Sequence, residues 1–94
     1  MNRRRSSDAI ISQILEVCTV GASKTRIVYQ SNLNFSTVNP YLDLLLDSGL
    51  LEEVNGPRIV YKTTETGIEL MKGFKQYQEE IAKLRTYIEG ALLK

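Results

Sequence analysis

Residues 36–63 read Ser-Thr-Val-Asn-Pro-Tyr-Leu-Asp-Leu-Leu-Leu-Asp-Ser-Gly-Leu-Leu-Glu-Glu-Val-Asn-Gly-Pro-Arg-Ile-Val-Tyr-Lys-Thr, and two periodicities meet in that stretch. In its first half, Val38, Tyr41, Leu42, Leu45 and Leu46 fall on one stripe at 100° per residue, which predicts an amphipathic helix opened by Ser36. Pro40 is expected in the first turn, where a missing amide costs least, and Gly49 supplies the left-handed stop. The second half predicts two strands, Leu50–Val54 and Arg58–Thr63, around Asn55-Gly56-Pro57. Asn-Gly is a strong hairpin signal because both residues tolerate positive φ, and Pro57 favours a loop longer than two residues.

Working outward toward the amino terminus, Ser23 is placed to cap a second helix that buries Ile27 and Val28, with Tyr29 as a further candidate, and ends near Asn32. Before it, Ser6-Ser7-Asp8 caps a first helix whose apolar residues, Ile10, Ile11, Ile14, Leu15, Val17 and Cys18, run until Gly21. Toward the carboxyl terminus, Thr64-Glu65-Thr66-Gly67 begins a last helix free of proline. Some 30 residues at 1.5 Å each make a rod of roughly 45 Å, longer than a domain of this size can wrap. In sevens, Phe74, Ile81 and Ile88 occupy one seam position and Leu70, Tyr77, Leu84 and Ala91 the other, a coiled-coil pattern sustained for about three heptads. Ile68 and Met71 lie off that seam and are expected to pack on the chain's own core. The predicted fold is mainly α with a small β-hairpin, a winged helix-turn-helix over residues 1–63 followed by a dimerisation helix over residues 64–94.

Composition narrows the function. With 94 residues, 43% of them hydrophobic and 24% charged, the chain is ordinary for one globular domain and too apolar for a disordered one. No apolar run has the roughly 18 residues a membrane span needs, so a cytoplasmic protein without membrane contact is expected. There is no histidine and only one cysteine, Cys18, which reads as a small buried apolar residue. Cofactors and metals are not expected. No phosphate loop, nucleophile with its base, or cofactor fingerprint is visible, so no enzyme is expected. The net charge of +1 conceals a segregation. Over residues 1–62, four of the acids, Asp43, Asp47, Glu52 and Glu53, crowd into one stretch, whereas the basic residues sit at the amino terminus, at the start of the second helix and around the hairpin.

Helix, helix, helix, hairpin is the order of a winged helix. More specific are Lys24-Thr-Arg-Ile-Val-Tyr-Gln-Ser-Asn-Leu33 and Tyr41-Leu-Asp-Leu-Leu-Leu-Asp-Ser-Gly-Leu50. These resemble the K-T-x-I-x-Y-x-x-N-L and Y-L-x-x-L-x-x-x-G-L signatures of the archaeal 10-kilodalton winged-helix DNA-binding proteins. The resemblance covers nearly the whole chain. It implies an elongated homodimer joined by an antiparallel coiled coil of the last helices, a DNA-binding head at each end, a nucleoid-associated location, and a role as transcription regulator or chromatin-like architectural protein. Asn39-Pro40, and the scarcity of lysine near the third helix, depart from the more basic members.

The candidate contacts with double-stranded DNA follow from docking geometry. Ser36, Thr37 and Asn39 begin the third helix, whose first residues reach major-groove base edges in helix-turn-helix proteins. Lys24, Thr25 and Arg26 begin the second, where free amides and the helix dipole attract a phosphate. Arg58, with Lys62 nearer the base, belongs to a hairpin over residues 54–59 that would serve as the wing. Arg3, Arg4 and Arg5 are expected to form a flexible basic arm tracking phosphates. The candidate dimer interface is the seam of Leu70, Phe74, Tyr77, Ile81, Leu84, Ile88 and Ala91. The competing reading is a winged-helix module that has lost DNA binding and recruits other proteins, which the acids at Asp43, Asp47, Glu52 and Glu53 favour.

Overall fold

The structure, a computed structural model, describes residues 6–92. Helix α1 (Ser7–Val17) starts where the Ser6 hydroxyl accepts the Ala9 amide at 3.1 Å. Its apolar stripe puts Ile10, Ile14 and Leu15 inside, and a single 3-10 turn (Cys18–Val20) carries the chain to Gly21 at φ +92°. Helix α2 (Lys24–Ser31) is capped by Ser23 and buries Ile27, while Asn32 takes the left-handed conformation at φ 56° that ends it. Tyr29 is 85% exposed, so the buried side of α2 stops at Val28.

Helix α3 (Phe35–Asp47) buries Val38, Leu42 and Leu45, as its stripe predicts, but its start differs from expectation. Asn34 is the cap: its side-chain oxygen accepts the Thr37 amide and the Ser36 hydroxyl, each at 2.8 Å. Asparagine caps as well as serine does, and Asn34 lies two residues before Ser36. Pro40 therefore falls in the second turn, where its missing N–H leaves the Ser36 carbonyl without its i+4 donor. At the other end Gly49, at φ +75°, closes a Schellman turn in which Gly49 N–H donates to Leu46 O at 3.2 Å and Leu50 N–H to Leu45 O at 2.9 Å.

Strands β1 (Leu51–Val54) and β2 (Val60–Thr63) pair antiparallel, Leu51 with Thr63 and Val54 with Val60. The loop is residues 55–59, and neither Asn55 nor Gly56 takes a positive φ. The compact Asn-Gly turn that the sequence advertises is thus replaced by a wider loop, as a proline directly after it requires. On the other side of β2, Ala22 exchanges two backbone hydrogen bonds with Tyr61, at 2.9 and 2.8 Å. That pairing ties the segment before α2 to the hairpin and was not visible in the sequence, since one residue carries no periodicity.

Helix α4 (Glu65–Leu92) grows from a tightly built junction. Thr64 accepts the Gly67 amide at 3.1 Å and donates to Gly49 O at 2.7 Å, and Thr63 donates to Leu15 O at 2.6 Å. Gly67 is there because a Cβ would overlap the Leu50 carbonyl oxygen. Met71 is buried on the head, as expected from its place off the seam, and the Lys75 ammonium meets the Glu16 carboxylate of α1 at 2.7 Å. Farther along, Ile81 and Arg85 still line a groove with Ser6 and Asp8, and past them α4 leaves the head, giving a molecule 60 Å long and 19 Å thin. The fold is mainly helical with one small antiparallel hairpin.

Candidate nucleic-acid interface

At the start of α2, the Ser23 side chain accepts the Arg26 amide at 3.2 Å and its carbonyl accepts that of Ile27 at 3.0 Å. The Lys24 and Thr25 amides, the first two of the helix, are those that a helix cannot satisfy internally. Around them Thr25 and Arg26 are exposed and Lys24 is half-buried. Amide donors, the positive helix end and two cations converge there.

The Ala22–Tyr61 pair joins this corner to the wing. Because the two segments are antiparallel, the chain advancing from Ala22 toward Lys24 moves the same way as the chain going back from Tyr61 toward Arg58. Lys24 and the exposed Arg58 thus lie toward the same end of the hairpin. Lys62 is exposed but stands opposite Glu52 across the ladder, so an acid shares its surroundings.

The start of α3 lies at the other end of α2, just past Asn32, about 12 Å along an eight-residue helix. Ser36 and Asn39 are exposed there and Thr37 is half-buried. The Ser36 hydroxyl has committed its hydrogen to Asn34, so outward it presents lone pairs. Sequence reasoning missed Asn34 as the group that orders this turn. Leu44, which lies outside the apolar stripe of α3, is 50% exposed. Arg3, Arg4 and Arg5 lie outside the described residues.

Exposed acids lie on α3, Asp43 and Asp47, and on β1, Glu52 and Glu53. The Tyr61 phenol is pushed above its ordinary pKa of 10.0 by burial first, then by the charges of Glu53 and Asp43. Glu53 stands opposite Tyr61 across the ladder. Cys18, fully buried, has its thiol pushed up to about 12 by burial, the behaviour of a core residue, not a nucleophile.

On α4, Leu70, Tyr77, Leu84 and Ile88 are between 46% and 59% exposed, Ala91 is exposed, and Phe74 and Ile81 are half-buried. Phe74 shares with Asp8, Ile11, Ser12, Leu15, Leu50, Leu70 and Met71 the wall of a small groove between α1 and α4, about 110 Å³ in volume. The seam therefore starts against the head and ends on the free rod. No described helix is long and apolar enough to cross a membrane.

A family model for winged helix-turn-helix proteins matches residues 4–82, which spans the three helices, the hairpin and more than half of α4. The chain belongs to the winged helix-turn-helix family. Among solved structures, that of Sso10a-2, a DNA-binding protein from Sulfolobus solfataricus, superposes with a TM-score of 0.76 at 26% identity, covering 94% of this chain and 97% of that one. This bears out the resemblance to the archaeal winged-helix proteins drawn from the Lys24–Leu33 and Tyr41–Leu50 motifs. The winged-helix fold recurs in bacterial regulators. The multiple antibiotic-resistance repressor MarR from Listeria monocytogenes has a TM-score of 0.59 at 20% identity over 90% of this chain and 73% of its own. The PcaV transcriptional regulator from Streptomyces coelicolor gives 0.64 at 19% over 89% of this chain, which spans 64% of that regulator. No curated protein sequence matches the chain significantly.

Proposed function

We propose that this winged-helix chain binds double-stranded DNA as a homodimer and acts as a transcription regulator or a chromatin-like architectural protein. Residues 1–63 would form the binding head, with Arg3, Arg4 and Arg5 as a basic arm, and residues 64–94 the dimerisation helix. The observation that supports the reading is the Ala22–Tyr61 pairing, from which the chain runs to Lys24 toward the end of the hairpin that carries Arg58. With α3 starting about 12 Å away along α2, the geometry suits a helix in a major groove about 12 Å wide while the α2 corner and the wing hold the flanking backbones.

In this reading Lys24, Thr25 and Arg26 bind one phosphate through side chains and the free amides of α2, and Arg58 a second from the wing. Thr37 and Asn39 face base edges, Asn39 with a side-chain amide suited to adenine. No proton transfer or covalent step is involved, and the reading is not catalytic. The relative from Sulfolobus solfataricus, a DNA-binding protein, supports it over 94% of the chain. The exposed seam on α4 supports a second copy as the partner, antiparallel as the resemblance implies, in an archaeal cell with the protein on its nucleoid.

Mobility-shift titration of a mixed-sequence duplex at low ionic strength tests the reading, with a retarded complex expected. The alternative, a protein-interaction module, draws on the exposed acids Asp43, Asp47, Glu52 and Glu53. A pulldown that recovers a stoichiometric protein partner after nuclease treatment, with no shift of duplex DNA, would replace the first reading with the second.

A further inference from the structure

Ser36, Pro40 and Leu44 are spaced four apart on α3 and form a ridge on the side away from buried Val38, Leu42 and Leu45. All three are exposed. Neither Pro40 nor Leu44 belongs to the hydrophobic core or packs against it. Pro40 weakens the helix it sits in, and Leu44 leaves half its surface in water. Nor does the ridge attract phosphate, since α3 contains no lysine or arginine and Asp43 and Asp47 flank the ridge. Two side chains are also far too few for a protein interface, which takes about 800 Å² from each partner.

We propose that the Pro40 and Leu44 side chains contact thymine C5 methyl groups in the major groove and give the chain a preference for A·T pairs. The inference rests on the duplex-binding reading above. Thymine carries the only apolar group among the four bases on the major-groove side, and its partner adenine presents an amino donor beside it. The ridge offers the complementary set: a proline ring, a leucine, and oxygens of Ser36, whose hydroxyl hydrogen is held by Asn34 and whose carbonyl has no i+4 donor. Acceptors suit the amino group of cytosine as well as that of adenine, so the methyl contacts are what favour A·T over G·C. The work is thereby divided, with cations on α2 and the wing holding phosphates and the uncharged ridge reading bases.

The test compares the wild-type chain with the double variant Pro40→Ala, Leu44→Ala on an A·T-containing duplex and on the same duplex with deoxyuridine in place of thymidine. The wild type should bind the uracil duplex about fourfold more weakly for each methyl that the ridge touches, the equivalent of exposing one methylene, with no change in salt dependence. It should also bind a G·C duplex more tightly when the cytosines carry a 5-methyl group. The double variant should bind thymine and uracil duplexes alike. Equal wild-type affinity for the two, or discrimination surviving in the double variant, overturns the proposal, as does a uracil effect with no 5-methylcytosine effect. A double variant whose only change is weaker self-association by sedimentation also overturns it, by making the occupant a second copy. Absence of wild-type binding to any duplex instead removes the duplex reading itself.

Discussion

At Gly67 the first turn of α4 lies against the backbone of Leu50. Substituting alanine there would push a methyl into the Leu50 carbonyl, and backbone cannot yield as a flexible side chain does. Gly67→Ala should therefore cost on the order of 3 kcal/mol, read as a lower urea midpoint with an unchanged slope. Cys18 sets a different dependence. Its folded-state pKa is raised from 9.0 to about 12, so the folded chain keeps a proton that the unfolded chain gives up as pH rises past 9.0. Stability should fall across that window by up to about 1.4 kcal/mol per pH unit, and Cys18→Ala should flatten the fall. The raised Tyr61 phenol adds to it with the same sign, so Tyr61→Phe is the control. Single residues were also where the sequence was hardest to read. Asn34 and Ser36 are both good caps two positions apart, and only the hydrogen bonds to Asn34 decide between them.

At the scale of elements the sequence was more legible, because periodicity averages over many residues. The buried stripes of α1 and α3, the stop at Gly49 and the Thr64 cap of α4 all lie where pattern and capping chemistry put them. What stayed hidden depends on partners far along the chain. The Ala22–Tyr61 pairing has no local signal, whereas the wider 55–59 loop follows from Pro57 beside Asn55-Gly56 and was legible. Pro40 ties this scale to function. Replacing it with alanine restores an amide to the second turn, so Pro40→Ala should raise stability by roughly 1–3 kcal/mol, measured by thermal or urea unfolding, despite the stiffness proline lends the unfolded chain. A proline held there by function should show that gain together with weaker DNA binding. Destabilisation would mean that Pro40 serves the fold after all.

For the molecule as a whole, the issue is what covers the rod. The heptads were plain in the sequence, but the sharing of its start with the head was not, since Phe74 belongs both to the seam and to the groove against α1. Ile81 still lines a groove with Ser6 and Asp8 at the start of α1, so Leu84, past it, is the cleaner probe: Leu84→Asp should yield monomers in sedimentation, because an unpaired charge in a short coiled coil is costly. A dimer that survives would place the interface elsewhere.

The candidate site was legible as three separate patches; their convergence rests on the α2 corner and the wing acting together on one duplex. The decisive measurement is the salt dependence of duplex affinity for the wild type, Arg26→Ala and Arg58→Ala. Each variant should bind every sequence more weakly, with the slope of log affinity against log salt shallower by about 0.9, the share of a single neutralised phosphate. Slopes identical to the wild type in both variants would contradict the account.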